Sequence, residues 1–290
     1  MTDRPPPPRP LKRELRQEAG FGCCVCGLPI LQYHHIVPWE REQHYRTTDM
    51  MVLCPLHHDQ ATKGVLPEAD QRRWKDKPYN LAQGRANGAL VVSQAYCAVR
   101  AGGVLMVGDG PFVMVDDEPL LRLAASDEGR LLLSVRLYDE YDALLAVIED
   151  NEWLTGDPLP WDLESDWQRL RLRLAARQIA LDVQAKTDPV AVRADLWRRG
   201  QRIRLSLNGV ELEGSTVSGG GIEDLGLVQM GIEVDTREPA LRIRPLHESG
   251  QGVLVSEADP IERLMKSMAA YQGLRSGGGP NVLELPAPQG

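Results

Sequence analysis

The sequence lacks both a long apolar run and an N-terminal signal core. A helix that crosses a bilayer needs about 20 successive apolar residues, and no uncharged run of this chain reaches that length. Residues 1–10 are rich in proline and contain no apolar segment of the kind found in secretory signals. We therefore expect a cytoplasmic protein that has no membrane partner.

Cysteine is scarce, and its distribution argues against a disulfide framework. Five of the 290 residues are cysteine, and four of these lie between positions 23 and 54. Disulfide-rich secreted domains instead use cysteines along their whole length. Five of the six histidines fall in the same stretch, residues 21–64. Because thiolate and imidazole groups are preferred ligands of transition metals, this concentration indicates metal chemistry.

Positive charge is in deficit over the chain as a whole, but not where the cysteines and histidines lie. The formal net charge is −8, which divides into +3 for residues 1–85 and −11 for residues 86–290. Phosphate binding requires a basic surface, and the acidic remainder would be repelled by a nucleic-acid duplex. Any contact with nucleic acid is therefore expected in the first 85 residues.

Two short motifs have the spacing of metal-binding knuckles. They are Cys23-x2-Cys26 and Cys54-x2-His57. Two such pairs supply four ligands, and three thiolates with one imidazole are typical of a tetrahedral structural zinc site. Cys24 could take the place of Cys23, but a one-residue gap to Cys26 suits a knuckle less well. We interpret Cys24 either as a packing residue or as a residue that supports the metal ligands without binding the metal.

A pair of adjacent histidines lies between the knuckles, in the β-prone run His34-His35-Ile36-Val37-Pro38. Neighbouring residues of a strand point to opposite sides, so one histidine can bind a metal while the other accepts a proton from water. His58 follows the zinc-ligand candidate His57, and on a helix it would point about 100° away from it. The pattern predicts a closed structural site and a second, open metal site.

Together these motifs resemble the HNH endonuclease family, which has the ββα-metal nuclease fold. The matching residues are the Cys23–Cys26 knuckle, the run from His34 to Pro38, and Leu53-Cys54-x2-His57-His58. The resemblance covers roughly residues 11–80. It implies a metal-dependent enzyme that hydrolyses phosphodiester bonds in DNA. The roles that it implies are a general base at His35, ligands of a catalytic Mg²⁺ or other divalent transition metal at His34 and His58, and structural zinc ligands at Cys23, Cys26, Cys54 and His57.

Three positions depart from the family pattern. His34 stands where many members have Asp, and His57 replaces the usual fourth cysteine. Asp49 stands where the family typically has Asn, the residue that braces the loop. Asp49 could brace the loop in the same way or could supply a metal ligand, and both alternatives stay open.

Basic residues follow the motif and could contact a nucleic-acid backbone. Phosphate contacts come mostly from Lys and Arg, although a solvated helix face is an alternative of nearly equal weight. His44, in the loop after the histidine pair, is expected to be an exposed loop residue. The candidate nucleic-acid-binding residues are Lys63, Arg72, Arg73 and Lys75.

Beyond residue 85 the sequence is typical of β-structure. In residues 169–174 and 202–207 leucine or isoleucine alternates with arginine, which predicts strands with one apolar and one basic face. Pairing of these arginines with neighbouring acids is favoured over a nucleic-acid platform. Residues 218–221 are interpreted as a flexible loop. Short strands at regular intervals favour a mostly antiparallel sandwich, roll or β-solenoid, and residues 260–271 are expected to form a closing helix.

The sequence therefore predicts an α+β protein with four segments. These are a disordered Pro-rich arm (1–10), a small zinc-stabilised HNH domain (11–85), a β-rich accessory domain (86–272) and a disordered tail (273–290). The accessory domain is expected to direct or regulate the nuclease through a regulatory protein or ligand, and a role in phage defence would suit this plan. Homo-oligomer formation is open.

Two alternative functions remain. One is a zinc-stabilised module that binds nucleic acid without cleaving it. The other is an interaction protein whose β-rich domain has the main role.

Overall fold

The computed structural model describes eleven stretches of the chain and shows a mixed α+β protein that is mostly β-structure. Within them, no helix combines the length and the apolarity that crossing a bilayer requires. The helix expected over residues 260–271, the tail 273–290 and Cys97 lie outside the described residues. The described stretches are 5–83, 85–87, 90–91, 98–127, 130–155, 160–187, 189–214, 217–222, 225–237, 241–246 and 252–255.

The N-terminal part contains a two-stranded hairpin surrounded by four helices. A single turn of 3-10 helix, Thr47–Asp49, immediately precedes the second strand. The elements are α1 (Arg9–Glu18), β1 (Gln32–His35), β2 (Met50–Leu53), α2 (Pro55–Thr62), α3 (Glu68–Asp76) and α4 (Tyr79–Gln83).

Helix α1 begins inside the segment expected to be a disordered arm. Pro10 lies in its first turn, where a missing backbone N–H costs nothing because that group has no partner in the helix. Leu11 and Leu15, one turn apart, are buried on its inner face. Residues 9 and 10 therefore belong to α1 and not to the arm that the sequence predicts.

The hairpin fixes the orientation of the two adjacent histidines. Strands β1 and β2 are antiparallel, with His34 opposite Met51 and His35 opposite Met50. All four residues of β2 are buried, and they form a small hydrophobic cluster with Leu11, Leu15 and residues of the knuckles. The hairpin is followed by a short helix, since α2 begins directly after Cys54.

The β-rich part comprises twenty described strands in two sheets. One sheet has the order β21-β20-β7-β8-β9-β10-β11-β3, with β4 on β9. The other has the order β12-β13-β14-β15-β5-β6-β19-β22. In this second sheet β16 also pairs with β15, β17 pairs with β16, and β18 pairs with β17. The strands are β3 (Arg85–Asn87), β4 (Leu90–Val91), β5 (Ala98–Ala101), β6 (Val104–Val107), β7 (Gly110–Val115), β8 (Glu118–Ala125), β9 (Arg130–Tyr138), β10 (Leu144–Glu149), β11 (Glu152–Thr155), β12 (Asp162–Asp166), β13 (Arg169–Ala175), β14 (Gln178–Gln184), β15 (Val190–Arg198), β16 (Gln201–Ser206), β17 (Gly209–Gly214), β18 (Val217–Ile222), β19 (Leu225–Val228), β20 (Met230–Val234), β21 (Leu241–Pro245) and β22 (Val253–Val255).

The two sheets share one hydrophobic core, as in a sandwich. Residues of both contribute to it, including Phe112 of β7 and Leu181 of β14. Most neighbouring strands are antiparallel, as predicted, but β15 with β5, β19 with β6 and β20 with β7 are parallel. The expected flexible loop at 218–221 is wrong, because these residues pair with β17 as part of β18.

The arginine-faced strands make cross-strand ion pairs. Arg169 and Arg171 of β13 both contact the buried carboxylate of Asp182 on β14 at 2.8 Å. Arg202 of β16 contacts Asp195 of β15 at 2.7 Å. The interpretation of these arginines as pairing partners is confirmed, because their guanidinium groups are engaged inside the sheet.

A buried ion pair joins the N-terminal part to the β-rich part. The Arg16 guanidinium donates hydrogen bonds to both carboxylate oxygens of Asp162, at 3.0 and 2.8 Å, and the two side chains are 8% and 5% exposed. Burial would lower the pKa of Arg16, but the hydrogen bonds and charges of Asp162 and Tyr33 outweigh it and raise that pKa. Phe21 adds a second contact, since it belongs to the core of the two sheets.

Asp162→Ala is expected to lower the free energy of unfolding by about 3–5 kcal/mol, because it leaves the buried Arg16 charge without its main partner. The measurement is denaturant unfolding monitored by tryptophan fluorescence. Asp59→Ala is the matched control, since it breaks the exposed pair of Lys63 with Asp59 and should cost at most about 1 kcal/mol. Equal losses in the two variants would contradict a stabilising role for the buried pair.

Candidate metal centre and histidine site

Three cysteines and one histidine form a cluster that could hold a metal ion. The ligand atoms of Cys23, Cys26, Cys54 and His57 all lie within 4.8 Å of one another. They come from the two predicted knuckles, which are brought together although 28 residues separate Cys26 from Cys54. Cys23 and Cys54 are buried, whereas Cys26 is exposed at the edge of the cluster.

The distances between these atoms suit tetrahedral coordination. Zinc–sulfur bonds of about 2.3 Å give sulfur–sulfur edges of about 3.8 Å in a regular tetrahedron. The Sγ atoms of Cys26 and Cys54 are 3.9 Å apart, and the His57 Nδ1 lies 3.5 Å from Cys23 Sγ and 3.2 Å from Cys54 Sγ. The donor set and the spacing both fit an ion such as zinc.

The first knuckle is a tight turn held by helix α4. Gly27 has a φ of +78°, and a Cβ there would lie 2.2 Å from the Asn80 side-chain oxygen. A glycine is therefore required at this turn. The buried Asn80 side chain donates hydrogen bonds to the carbonyls of Gly20 and Gly27, at 3.0 and 3.3 Å. These bonds fix the two ends of the segment that contains Cys23 and Cys26.

The second knuckle is the start of helix α2. Cys54 precedes the helix in an extended conformation, Pro55 occupies its first turn, and the His58 amide donates to the Cys54 carbonyl at 2.8 Å. His57 then faces the three sulfur atoms from the first turn of α2.

The adjacent thiols of Cys23 and Cys24 differ in pKa. A hydrogen bond from Cys26 lowers the pKa of Cys23, which favours the thiolate that binds metals. Burial raises the pKa of Cys24 to about 12, so that this thiol stays protonated. Cys24 lies outside the cluster, in the small hydrophobic core beside β2.

His34 and His58 meet on one side of the hairpin. Their ring centroids are 5.1 Å apart and the rings are nearly perpendicular. His34 comes from β1 and is buried, and His58 comes from the first turn of α2. The Nε2 of His34 also lies 3.1 Å from the side-chain oxygen of Gln71, a buried residue of α3. The sequence did not identify Gln71 as a site residue.

His35 faces the other side of the hairpin, into a group of aromatic rings. Its ring centroid lies 5.5, 5.0 and 5.9 Å from those of Trp39, His44 and Tyr45. Its Nε2 lies 3.0 Å from the backbone carbonyl of His44. Because a carbonyl only accepts, Nε2 carries the proton and Nδ1 is the basic nitrogen of the neutral ring.

The expectation of an exposed His44 is wrong, because its side chain is only 7% exposed. The Nε2 of His44 lies 3.1 Å from the Val37 carbonyl, and the Arg46 amide donates to its Nδ1 at 3.3 Å. The ring therefore connects the two ends of the loop between β1 and the 3-10 turn. Loop sequence alone gave no sign of this burial, although two aromatic residues, Trp39 and Tyr45, lie in the same loop.

Asp49 is placed as a brace of this loop. Its carboxylate contacts Arg46 at 2.8 Å and Arg72 at 2.9 Å, and its backbone carbonyl accepts a hydrogen bond from the Ile36 amide. Hydrogen bonds from Arg46 and Arg72 lower the pKa of Asp49 to about 2. Both carboxylate oxygens are thus engaged by arginine, and Asp49 is not part of the metal-ligand cluster.

Each candidate nucleic-acid-binding residue has an acidic neighbour. Lys63 pairs with Asp59 at 2.8 Å and Arg73 with Asp70 at 3.1 Å, and both basic side chains are well exposed. Lys75 pairs with Glu18 at 2.6 Å and is largely covered. Arg72 also donates to the Thr48 carbonyl. Lys63 and Arg73 are therefore the most accessible of the four.

Cys54→Ala is expected to abolish stoichiometric zinc binding, because it removes a ligand and the start of α2 loses its link to the first knuckle. Zinc content and the thiolate-to-cobalt absorption of the Co²⁺-substituted protein are the measurements. Cys24→Ala is the matched control and should retain both signals. Loss of metal from both variants, or from neither, would contradict the assignment of the four ligands.

His44→Phe is expected to destabilise the loop by about 1–3 kcal/mol, since the substitution leaves the buried partners of the ring nitrogens unpaired. The measurement is hydrogen exchange, in which the Arg46 amide should exchange faster while zinc content is unchanged. Tyr45→Phe keeps the neighbouring ring and should leave the Arg46 exchange rate as in the wild type. An unchanged rate in His44→Phe would show that its ring does not hold the loop.

Comparisons with known proteins identify no relative for this arrangement. No protein-family model matches the chain, and neither curated proteins nor solved structures give a significant match. What is established at this site is a Cys3His cluster that could hold a metal ion.

Proposed function

We propose that this chain is an HNH-type, metal-dependent endonuclease that hydrolyses phosphodiester bonds in DNA. The observation that supports it best is the division of the histidine pair by the hairpin. His34 is paired with His58 on one side of β1, and His35 is held by a carbonyl on the other. One short strand thereby offers a two-histidine site and a separately oriented base.

The first half of the proposed site is the pair His34 and His58. Two imidazoles from different elements, with rings 5.1 Å apart, are donors suited to a divalent transition metal. When bound there, such an ion supplies charge neutralisation at the scissile phosphate and at the leaving oxygen. The Cys3His cluster holds the start of α2 and thereby the position of His58, the residue after the ligand His57.

The second half of the proposed site is His35. The His44 carbonyl holds its Nε2, which leaves Nδ1 as the nitrogen that accepts a proton from the attacking water. Trp39 and Tyr45 limit the rotation of the ring by packing against it. A base that is already oriented before the substrate binds does not have to lose conformational entropy during the reaction step.

DNA is the proposed substrate because the basic excess lies in the first 85 residues, which carry a net charge of +3. Lys63 and Arg73 are the most exposed of the four candidate residues, and we expect them to contact the DNA backbone. Their present acidic partners are also exposed, and surface ion pairs contribute at most about 1 kcal/mol. Replacing such an acidic partner with a phosphate oxygen of DNA therefore costs little free energy.

A second candidate function is ligand recognition by the β-rich part, which would then direct or restrain the nuclease. A cavity of about 340 Å³ supports it, a volume within the range of small-molecule sites. Aromatic, acidic and basic side chains line it, including Tyr138, Tyr141, Asp195, Trp197 and Arg202. Arg202 already pairs with Asp195 in this cavity.

Wild-type protein is expected to cleave plasmid or single-stranded DNA in the presence of Mg²⁺, Mn²⁺ or Ni²⁺, and His35→Ala is expected to lose at least about 100-fold in rate because general base catalysis is removed. Zinc content is measured in both proteins. His247→Ala, the histidine outside the 34–58 stretch, is the control and should cleave as the wild type does.

Cleavage that persists in a zinc-loaded His35→Ala protein would remove His35 from the mechanism. Absence of cleavage by a zinc-loaded wild type with all three metals, on both DNA forms, would overturn the proposed activity. The β-rich part and its cavity would then be the place to look for the function.

A further inference from the structure

Gln71 is a buried polar residue whose two amide atoms are both engaged beside the histidine pair. Its side chain is 5% exposed. The amide nitrogen donates to the Leu66 carbonyl at 2.8 Å, and the amide oxygen lies 3.1 Å from the Nε2 of His34. Gln71 is 37 residues from His34 in sequence and lies outside both knuckles and the run from His34 to Pro38.

These two contacts determine where the His34 ring carries its proton. A backbone carbonyl only accepts, so the atom of Gln71 that faces Leu66 must be the amide nitrogen. The other atom of the amide is then the oxygen, which also only accepts. The hydrogen between Gln71 and His34 therefore belongs to the His34 Nε2. In a neutral imidazole with this proton, the lone pair is on Nδ1.

We propose that Gln71 is a positioning residue, which holds His34 in the Nε2–H tautomer so that Nδ1 is the nitrogen offered to the divalent ion. This inference rests on the proposed function, in which His34 and His58 bind that ion. Metal-binding histidines typically donate their other ring N–H to an acceptor, which fixes both the tautomer and the ring orientation. Gln71 supplies that acceptor from α3.

The same hydrogen bonds connect the elements that carry the two ligands. The Leu66 amide donates to the Gln60 carbonyl of α2 at 3.1 Å, and the Leu66 carbonyl accepts from Gln71. Helix α2 carries His58, and Gln71 in turn holds His34 on β1. The path from α2 through Leu66 and Gln71 is therefore a second link between the two rings, in addition to the Cys3His cluster that holds the start of α2.

The direct test is the tautomer of His34 in zinc-loaded protein without added divalent ion, read from the imidazole ¹⁵N chemical shifts. Wild type should show a protonated Nε2 and an unprotonated Nδ1 at His34. Gln71→Met has nearly the same shape but replaces the amide oxygen with a thioether sulfur, which is only a weak acceptor, and should show exchange between the two tautomers. Gln17→Met is the matched control, because it removes an amide-to-carbonyl bond, to Trp161, in which His34 takes no part.

The second readout is Mn²⁺ affinity by calorimetry at constant zinc content. Gln71→Met should bind Mn²⁺ about 10–100-fold more weakly, the usual loss when the partner of a metal-binding histidine is removed. Gln71→Glu retains a strong acceptor and should bind Mn²⁺ more tightly than Gln71→Met does, with an affinity close to that of the wild type. A purely structural role would weaken the two variants alike.

Two results would overturn the inference. One is a wild-type His34 with its proton on Nδ1, and the other is a Gln71→Met protein whose tautomer and Mn²⁺ affinity are both unchanged. A wild type that has the expected tautomer but binds no Mn²⁺ and cleaves no DNA would overturn the proposed function and the metal role of His34. In that case the effect of Gln71 on the His34 proton would stand by itself.

Discussion

The N-terminal part depends on one constraint, the convergence of three sulfur atoms and one imidazole nitrogen within 4.8 Å. Sulfur ligands bind metals as thiolates, and thiolates repel one another unless a cation lies between them. The hydrophobic cluster around β2 is small, with twelve buried residues among those described, so a metal ion bound by the three cysteines and His57 would supply much of the folding free energy of this part. The positions of α2 and of the first knuckle both follow from the cluster.

The hairpin next to this cluster places the two adjacent histidines, His34 and His35, in separate chemical environments. Since successive strand residues point in opposite directions, His34 meets polar groups of α2 and α3, whereas His35 meets the rings of the loop. Both histidines are held at Nε2 by an oxygen acceptor, an amide in one case and a backbone carbonyl in the other. In both neutral rings the lone pair is therefore on Nδ1, although the two rings have different proposed roles.

Local patterns in the sequence predicted much of this arrangement. The knuckle spacings gave the four members of the Cys3His cluster, strand alternation separated His34 from His35, and the leucine–arginine alternation gave β13 and β16. Contacts between distant residues were not predictable in this way. The burial of His44, the bond from His34 to Gln71 and the 146-residue span of the Arg16–Asp162 pair depend on tertiary packing, which no local periodicity encodes. The parallel strand pairs escaped prediction for the same reason.

The position of Phe21 has a consequence for how the chain matures. This residue is only two positions before Cys23, yet its ring is fully buried in the core of the two sheets. The residue that enters the sheet core is therefore almost next in sequence to the first cysteine of the knuckle. During synthesis the knuckle emerges before the strands of the two sheets, so the core that buries Phe21 can form only after those strands have followed. Metal uptake in that interval would order the knuckle and limit the conformations that Phe21 can sample before the sheets arrive.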